Sequence, residues 1–321
     1  MKRSILVLLL CLIMIISGCN VQHFEIPKAN IPILMVSHVK EQKLTFIDVA
    51  HNNVLLSEDS HFPVTEMVNI GNGNIIATSQ SETSLMLYDI KEGTISPFLK
   101  LNQGLTAMQY DYTSRSLFVT DIMNDQVHRI DIDKKEVVQS IEVGSYPTDL
   151  EFGNEKLFAL SGDNNDVTVM DLELKTTLQT FPVLERPSGM YYDGEKLWVG
   201  GHGSFGDLNK SIFAYNPETG KLINEIQIGL MPIAFFGDLS SPYFYVLCHG
   251  DHALYKVDKE ANKVVAAIEV GQNPNFVTGN DETLFVTNLD NNSISIIDRV
   301  SFELIDELTV SAGPYAIVME E

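Results

Sequence analysis

The sequence predicts an all-β fold, a seven-bladed β-propeller built from four-stranded blades. Three observations predict it: a repeat of about 41 residues, a polar residue that recurs once in every repeat, and short apolar runs separated by turn residues. Seven repeats fill residues 31–318. None of the repeats shows a sustained helical period, and four-stranded propeller blades have this length.

The recurring polar residue ends the third strand of each repeat. Its positions are separated by 40 to 45 residues and are Asp48, Asp89, Asp131, Asp171, Asn216, Asp258 and Asp298. An Asp or Asn at a strand end accepts hydrogen bonds from the backbone N–H groups of the following turn. Because a single active site would not recur seven times, this pattern indicates a scaffold role.

A proline precedes the first strand of nearly every repeat. It stands at six positions, with Leu105 in the remaining repeat: Pro63, Pro147, Pro187, Pro232, Pro274 and Pro314. We name the strands A to D, with A directly after the proline and C ending at the recurring Asp or Asn. The chain enters the repeat at a B strand near residues 33–37 and leaves it at an A strand near 315–319. The last strand is therefore predicted to pair with the first one and close the ring.

The N-terminus has the pattern of a secretory signal. Lys2 and Arg3 precede twelve apolar residues, Ile5 to Ile16, a run too short to span a bilayer as a helix. The next residues, Ser17-Gly18-Cys19, together with Ile16 resemble the lipobox of bacterial lipoproteins, whose usual first residue is Leu. An ordinary signal peptide followed by a chance cysteine is the alternative.

The lipobox resemblance implies cleavage before Cys19, a diacylglyceryl thioether on its sulfur and an acyl group on its amine. Several acyl chains on one residue give stable anchoring. The resulting organisation is a signal peptide over 1–18, a lipidated Cys19 with a tether over 19–30, and a propeller domain over 31–321. The predicted location is the extracytoplasmic face of a bacterial cell membrane.

The repeats themselves resemble the YVTN-type β-propeller repeat family. Its Tyr-Val-Thr-Asn strand is matched by Phe118-Val119-Thr120-Asp121 and by Phe285-Val286-Thr287-Asn288. Its Val-Gly-x-x-Pro segment is matched by residues 143–147 and 270–274. The resemblance covers nearly all of 31–318 and implies a fold rather than an activity, because this repeat is a scaffold on which different functions occur.

Charge and cysteine content exclude two classes of protein. The chain has 43 acidic and 21 basic residues; without residues 1–18 the basic residues number 19, for a net charge of −24. Nucleic-acid binding needs clusters of Lys and Arg, so this class is excluded. Of the three cysteines, only Cys19 and Cys248 remain after cleavage. Since Cys19 would carry lipid, no disulfide framework is expected.

The largest break in the repeat marks the candidate site. Twelve residues, Gly200 to Ser211, connect strands B and C in the fifth repeat, where the third repeat has seven. In a propeller the B–C and D–A loops lie on the same face. This topology brings together a candidate ligand-binding rim, which consists of His38, His61, Arg186, His202, His249, Asp251 and His252.

Three interpretations of this rim remain open. It could line a pocket for a small ligand, or it could be polar loop surface without a task. It could also hold a metal through His202, His249, Asp251, His252 and Asp207, although spacing alone cannot establish ligand geometry. No cofactor is predicted and no catalytic residue is nominated. The leading hypothesis is a binding scaffold for an envelope protein, a peptide or a small ligand; the alternative is a lactonase-like or lyase-like enzyme with its site on the same rim.

Overall fold

The computed structural model describes residues 21–26 and 32–320. These residues form strands joined by turns, and no helix among them is long and apolar enough to cross a membrane. The predicted signal peptide and Cys19 lie outside the described residues.

The described residues contain thirty-one strands. In chain order they are β1 (Gln22–His23), β2 (Ile33–His38), β3 (Lys43–Asp48), β4 (Asn53–Asp59), β5 (Glu66–Gly71), β6 (Asn74–Thr78), β7 (Ser84–Asp89), β8 (Thr94–Lys100), β9 (Leu105–Asp111), β10 (Ser116–Asp121), β11 (Gln126–Asp131), β12 (Glu136–Glu142), β13 (Pro147–Gly153), β14 (Lys156–Ser161), β15 (Asp166–Asp171), β16 (Thr177–Pro182), β17 (Pro187–Tyr192), β18 (Leu197–Gly201), β19 (Gly203–Ser204), β20 (Asp207–Leu208), β21 (Ser211–Tyr215), β22 (Leu222–Gln227), β23 (Pro232–Gly237), β24 (Tyr243–Cys248), β25 (Ala253–Asp258), β26 (Lys263–Glu269), β27 (Pro274–Gly279), β28 (Thr283–Asn288), β29 (Ser293–Asp298), β30 (Leu304–Thr309) and β31 (Pro314–Glu320).

Apart from β1, β19 and β20, the strands form seven four-stranded antiparallel sheets, the blades of the predicted propeller. From the inner A strand outward, blade 1 is β31-β2-β3-β4, blade 2 is β5-β6-β7-β8 and blade 3 is β9-β10-β11-β12. Blade 4 is β13-β14-β15-β16, blade 5 is β17-β18-β21-β22, blade 6 is β23-β24-β25-β26 and blade 7 is β27-β28-β29-β30. The fold class predicted from the sequence is confirmed.

The ring closes as predicted. β31 pairs with β2 in antiparallel register from Ile33 opposite Glu320 to His38 opposite Pro314. The C-terminal strand is therefore the inner strand of the first blade, and its residues Ala316 and Ile317 are buried.

The recurring Asp or Asn caps a turn in all seven blades, which confirms the scaffold interpretation. Asp48 accepts hydrogen bonds through Oδ1 from the backbone N–H groups of Ala50 and His51, at 2.9 and 3.1 Å. The equivalent side chains make the same kind of bond to the turn that follows them: Asp89, Asp131, Asp171, Asn216, Asp258 and Asp298.

The hydrophobic core lies between neighbouring blades. Between blades 5 and 6, for example, the fully buried Trp198 contacts Phe244, with ring centroids 5.4 Å apart. The Trp198 indole N–H donates to the Asp193 carboxylate at 2.7 Å, so the buried donor is satisfied. Many strands are apolar on both faces because each sheet packs against two others.

The segment before the first blade adds a fifth strand to blade 2. β1 pairs with the outer strand β8, with Gln22 opposite Ile95 and His23 opposite Thr94. The next residue, Phe24, is 8% exposed and stacks on Phe46 of blade 1 at 5.7 Å. The described part of the predicted tether thus packs against the propeller.

Candidate functional site

The inner strands surround a central cavity of about 500 Å³. All seven A strands contribute to its wall, together with three B–C loop residues, Gln80, His202 and His249, and the D–A loop residue Tyr146. The ionisable side chains that matter here are three carboxyls, Glu66, Asp149 and Glu151, and two imidazoles, His202 and His249. Neither Lys nor Arg is among the described residues that line this cavity.

The three carboxyls have pKa values well above the usual range. Burial is the main cause in each: it raises the pKa of Glu66 to about 8, that of Asp149 to about 7 and that of Glu151 to about 8. The charge of Asp149 raises the values of the other two further, while backbone N–H groups that donate to the carboxylates lower all three. The cavity therefore holds acidic groups that no cation compensates.

Asp149 and Glu151 also join blade 4 to blade 5. The backbone N–H of Met190 donates to Asp149 at 2.7 Å, and that of Tyr192 donates to Glu151 at 2.9 Å. Each bond spans 41 residues, one repeat. These carboxylates satisfy backbone donors on an inner strand that has no strand neighbour on its cavity side.

A similar cross-blade connection links blade 3 to blade 4. The Gln109 amide donates to the Leu150 carbonyl at 3.0 Å, and the Thr106 hydroxyl donates to the Pro147 carbonyl at 3.2 Å. These bonds also span 41 residues each. Polar side chains on the inner strands thus have a structural role as well as a place in the cavity wall.

His202 and His249 meet at one end of the cavity. Each directly follows the last residue of a B strand, β18 in blade 5 and β24 in blade 6, and their ring centroids are 6.3 Å apart. Burial is the main cause that lowers the pKa of His202, and the nearby Arg186 and His249 lower it further. His249 Nδ1 lies 3.3 Å from the Pro274 carbonyl oxygen, so it donates there and Nε2 is left as an acceptor.

The connection between β18 and β21 contains a small hairpin beside His202. β19 pairs with β20, and two glycines of the hairpin have positive φ: 78° at Gly203, where it begins, and 92° at Gly206, in its turn. A Cβ on Gly203 would lie 2.5 Å from the Asn209 backbone nitrogen, so this position requires glycine. At the tip, Phe205 is 91% exposed and its ring is covered by the Arg186 guanidinium at 4.4 Å.

Two residues of the predicted rim lie away from the cavity. His38 is the last residue of β2 and pairs with Pro314. In blades 5 and 6 the residues that pair with the equivalent proline are Gly201 and Cys248, so His202 and His249 stand one position later than His38. Its side chain is fully buried within the blade, where Nε2 lies 2.7 Å from the Thr45 hydroxyl, and burial lowers the pKa of His38 to about 4. His61 is an exposed loop residue with a φ of 67°.

Asp251 and His252 hold loops together. Asp251 Oδ2 accepts from the Leu230 backbone N–H at 2.6 Å and from the Tyr255 hydroxyl at 3.0 Å. His252 Nδ1 accepts from the backbone N–H of Asn273, which lies 21 residues further along the chain. The same bond over 21 residues recurs in three other blades, with the acceptors Asp125, Asn165 and Asn292. The repetition indicates that His252 serves the scaffold.

A metal site is absent from the part of the chain that the structure describes: no three His, Cys, Asp or Glu side chains there are placed to hold an ion. Asp207 is an exposed residue of the hairpin. Cys248 is fully buried at the end of β24, and burial raises the pKa of its thiol. Of the rim residues predicted from the sequence, the structure brings His202 and His249 together in the cavity, with Arg186 beside them.

The repeat pattern did not point to Glu66, Asp149 or Glu151 as candidate site residues. Asp149 and Glu151 lie within β13, not in the B–C and D–A loops that form the predicted rim. One sequence signal could have found them. Asp149 and Glu151 stand two and four residues after Pro147, and Glu66 stands three residues after Pro63, each in the strand that the repeat places nearest the cavity.

The sequence matches no protein-family model and no curated protein sequence. Solved structures with a similar fold include apo AztD from Citrobacter koseri, at 13% identity over 90% of this chain and 97% of that chain, with a TM-score of 0.63. A functionally unknown protein from Desulfotomaculum acetoxidans DSM 771 is 13% identical over 89% and 98%, with a TM-score of 0.74. The dihydro-heme d1 dehydrogenase NirN in complex with DHE is 12% identical over 92% and 77%, with a TM-score of 0.67. At these identities the similarity shows the propeller fold.

Proposed function

We propose that the protein is a bacterial lipoprotein, anchored through Cys19 at the extracytoplasmic face of the cell membrane, whose YVTN-like propeller binds a small cationic ligand in its central cavity. The lipobox-like residues 16–19 support the anchor, and the repeat supports a scaffold role. The ligand class follows from the chemistry of the cavity wall.

The observation that carries this proposal is the set of carboxyls without a compensating cation. Glu66, Asp149 and Glu151 line a cavity whose described wall contains no Lys or Arg. A protonated amine entering this space would favour the ionised form of these carboxyls and donate charge-assisted hydrogen bonds to them. A volume near 500 Å³ is in the range of small-molecule sites in proteins.

His202 and His249 suit the entrance to such a site. When the His249 ring is neutral and its Nδ1 donates to the Pro274 carbonyl, Nε2 is an acceptor for a donor group on the ligand. The lowered pKa of His202 favours its neutral form, so this ring does not repel an incoming cation.

A ligand screen by thermal unfolding tests this proposal. Primary amines, polyamines, quaternary ammonium compounds and amino acids are added to residues 19–321, and matched carboxylates serve as the anionic set. We expect stabilisation by one or more cations, and its loss in the variant with both Glu66→Gln and Glu151→Gln. The control is Glu260→Gln, at an exposed turn of blade 6, which should keep the response. Stabilisation by anions alone, or an equal response in the Gln variant, would contradict the cationic class.

A peptide or protein partner is a second candidate. It is favoured by exposed apolar side chains on the face that carries the B–C and D–A loops. Met123, Tyr146 and Phe205 lie in loops of blades 3 to 5 and are 71%, 41% and 91% exposed. Cross-linking in intact cells distinguishes the two candidates. A single cross-linked protein that is lost with Phe205→Ser, while amine binding persists, would favour the partner.

A further inference from the structure

The N-terminal segment is locked onto the outer wall of blade 2. Besides the pairing of β1 with β8, the Phe24 backbone N–H donates to the Gly93 carbonyl at 3.0 Å. The Phe24 ring is buried between Phe46 and Tyr88, at centroid distances of 5.7 and 6.3 Å. Gly93 has a φ of 62°, and a Cβ there would lie 2.6 Å from the Phe24 carbonyl oxygen, so the contact requires glycine.

This docking leaves little chain between the predicted lipid and the folded body. Cys19 precedes Gln22, the first residue of β1, by three residues. Three residues span at most about 11 Å even when fully extended. A lipid on Cys19 would therefore hold the side of blade 2 close to the bilayer, and not either face of the ring.

The charge of this wall suits a membrane surface. β8 contains no acidic residue and ends in the exposed Lys100, and Lys91 lies in the turn before it. The acids next to β1 and β8 in the chain are Glu25 and Glu92, so the wall is close to neutral on a mature chain of net charge −24. Among the outer strands only β16 also lacks acids; β4, β12 and β30 each carry two. Anionic headgroups repel acidic surfaces over about 10 Å, so blade 2 meets less repulsion than most of the ring.

We infer that the outer wall of blade 2, formed by β1 and β8, is a membrane-facing surface that lies against anionic phospholipid, so that the ring stands on its edge. The axis of the ring, and with it the central cavity, then runs parallel to the membrane. This inference rests on the lipid anchor of the proposed function and is independent of the ligand.

Fluorescence quenching by lipid tests the orientation. The full-length protein is purified from bacterial membranes and placed in vesicles of phosphatidylcholine and phosphatidylglycerol that contain a headgroup quencher. Single cysteines receive the fluorophore, and the buried Cys248 stays unlabelled. Lys100→Cys and Glu269→Cys occupy the last position of the outer strand in blades 2 and 6, on opposite sides of the ring. Met123→Cys and Leu239→Cys report on the two faces.

We expect the largest loss of fluorescence at position 100, a smaller loss at 123 in the neighbouring blade 3, and the smallest losses at 239 and 269, which both lie in blade 6. Equal quenching at all four positions, or a maximum at 123 or 239, would overturn the edge-on orientation while the anchor stands. Failure of the protein to sediment with vesicles would overturn the anchor and the orientation together. Phe24→Ala is the matched variant: it should keep vesicle binding and reduce the difference between positions 100 and 269, because β1 loses its buried anchor.

Discussion

The Asp149 carboxylate accepts a hydrogen bond from the Met190 backbone N–H at 2.7 Å, and this bond joins the inner strands of two neighbouring blades. Glu151 repeats the contact two residues further on, with Tyr192 as the donor. Two of the three carboxyls that make the cavity acidic therefore also hold the ring together. Stability and ligand binding should both change with the protonation of these carboxyls, in opposite directions.

Glu151→Gln should make the protein more stable at high pH. The folded pKa of Glu151, about 8, lies above the ordinary value of 4.5, so the native state binds the proton more tightly than the unfolded state. The contribution of Glu151 to the free energy of unfolding is therefore lost as the pH rises from about 4.5 to 8. Between pH 5 and pH 8, the free energy of unfolding of the variant should increase by about 2–4 kcal/mol relative to that of the wild type. Urea unfolding at both pH values measures this.

The glutamine amide oxygen can still accept the Tyr192 N–H, so the comparison isolates the charge. Glu260→Gln, at an exposed turn, is the control and should follow the wild-type pH dependence. Protonation of His202 lowers the stability as the pH falls, which is the opposite direction. This effect is common to the wild type, Glu151→Gln and Glu260→Gln. Parallel curves for wild type and Glu151→Gln would show that the buried carboxyl does not titrate in this range.

Asp48→Ala should destabilise blade 1 by about 1–2 kcal/mol, because two backbone N–H groups in the turn lose their acceptor. Burial raises the pKa of Asp48, but hydrogen bonds from His51 and Ala50 outweigh burial and place the net pKa below the ordinary 3.8. The stabilisation is therefore present above pH 3.8 and is lost as the pH falls below it. Asp48→Asn should cost less. Asp59→Ala, at an exposed residue of β4, serves as the control in denaturant unfolding.

Deletion of residues 312–321 should open the ring. β31 supplies the inner strand of blade 1 and buries Ala316, Ile317 and Val318. We expect a broad thermal unfolding transition at a lower temperature than in the wild type. Differential scanning calorimetry measures this transition. A circular permutant that places β31 before β2 through a short linker should restore the wild-type transition, since β31 would again pair with β2. An unchanged transition in the deletion variant would contradict the closure.

Cys19→Ala should release the protein from the membrane fraction or leave the precursor uncleaved, because the lipid would have no thiol to join. Cell fractionation with mass determination of the N-terminal peptide measures both outcomes. Cys248→Ala is the matched control and should stay in the membrane fraction, since the Cys248 thiol is buried at the end of β24 in blade 6. Normal cleavage with full membrane retention of Cys19→Ala would refute lipidation.

The sequence by itself determined the all-β class, the seven blades, the closing strand and the turn-capping role of the recurring Asp, because each rests on a local pattern repeated every 40 to 45 residues. Only the tertiary structure decided which polar residues meet. A shift of one residue in a strand turns a side chain to the opposite face, which separates the buried His38 from the cavity residues His202 and His249. Glu66, Asp149 and Glu151 come from two different blades, and what they share is the ring axis, which no short stretch of sequence encodes.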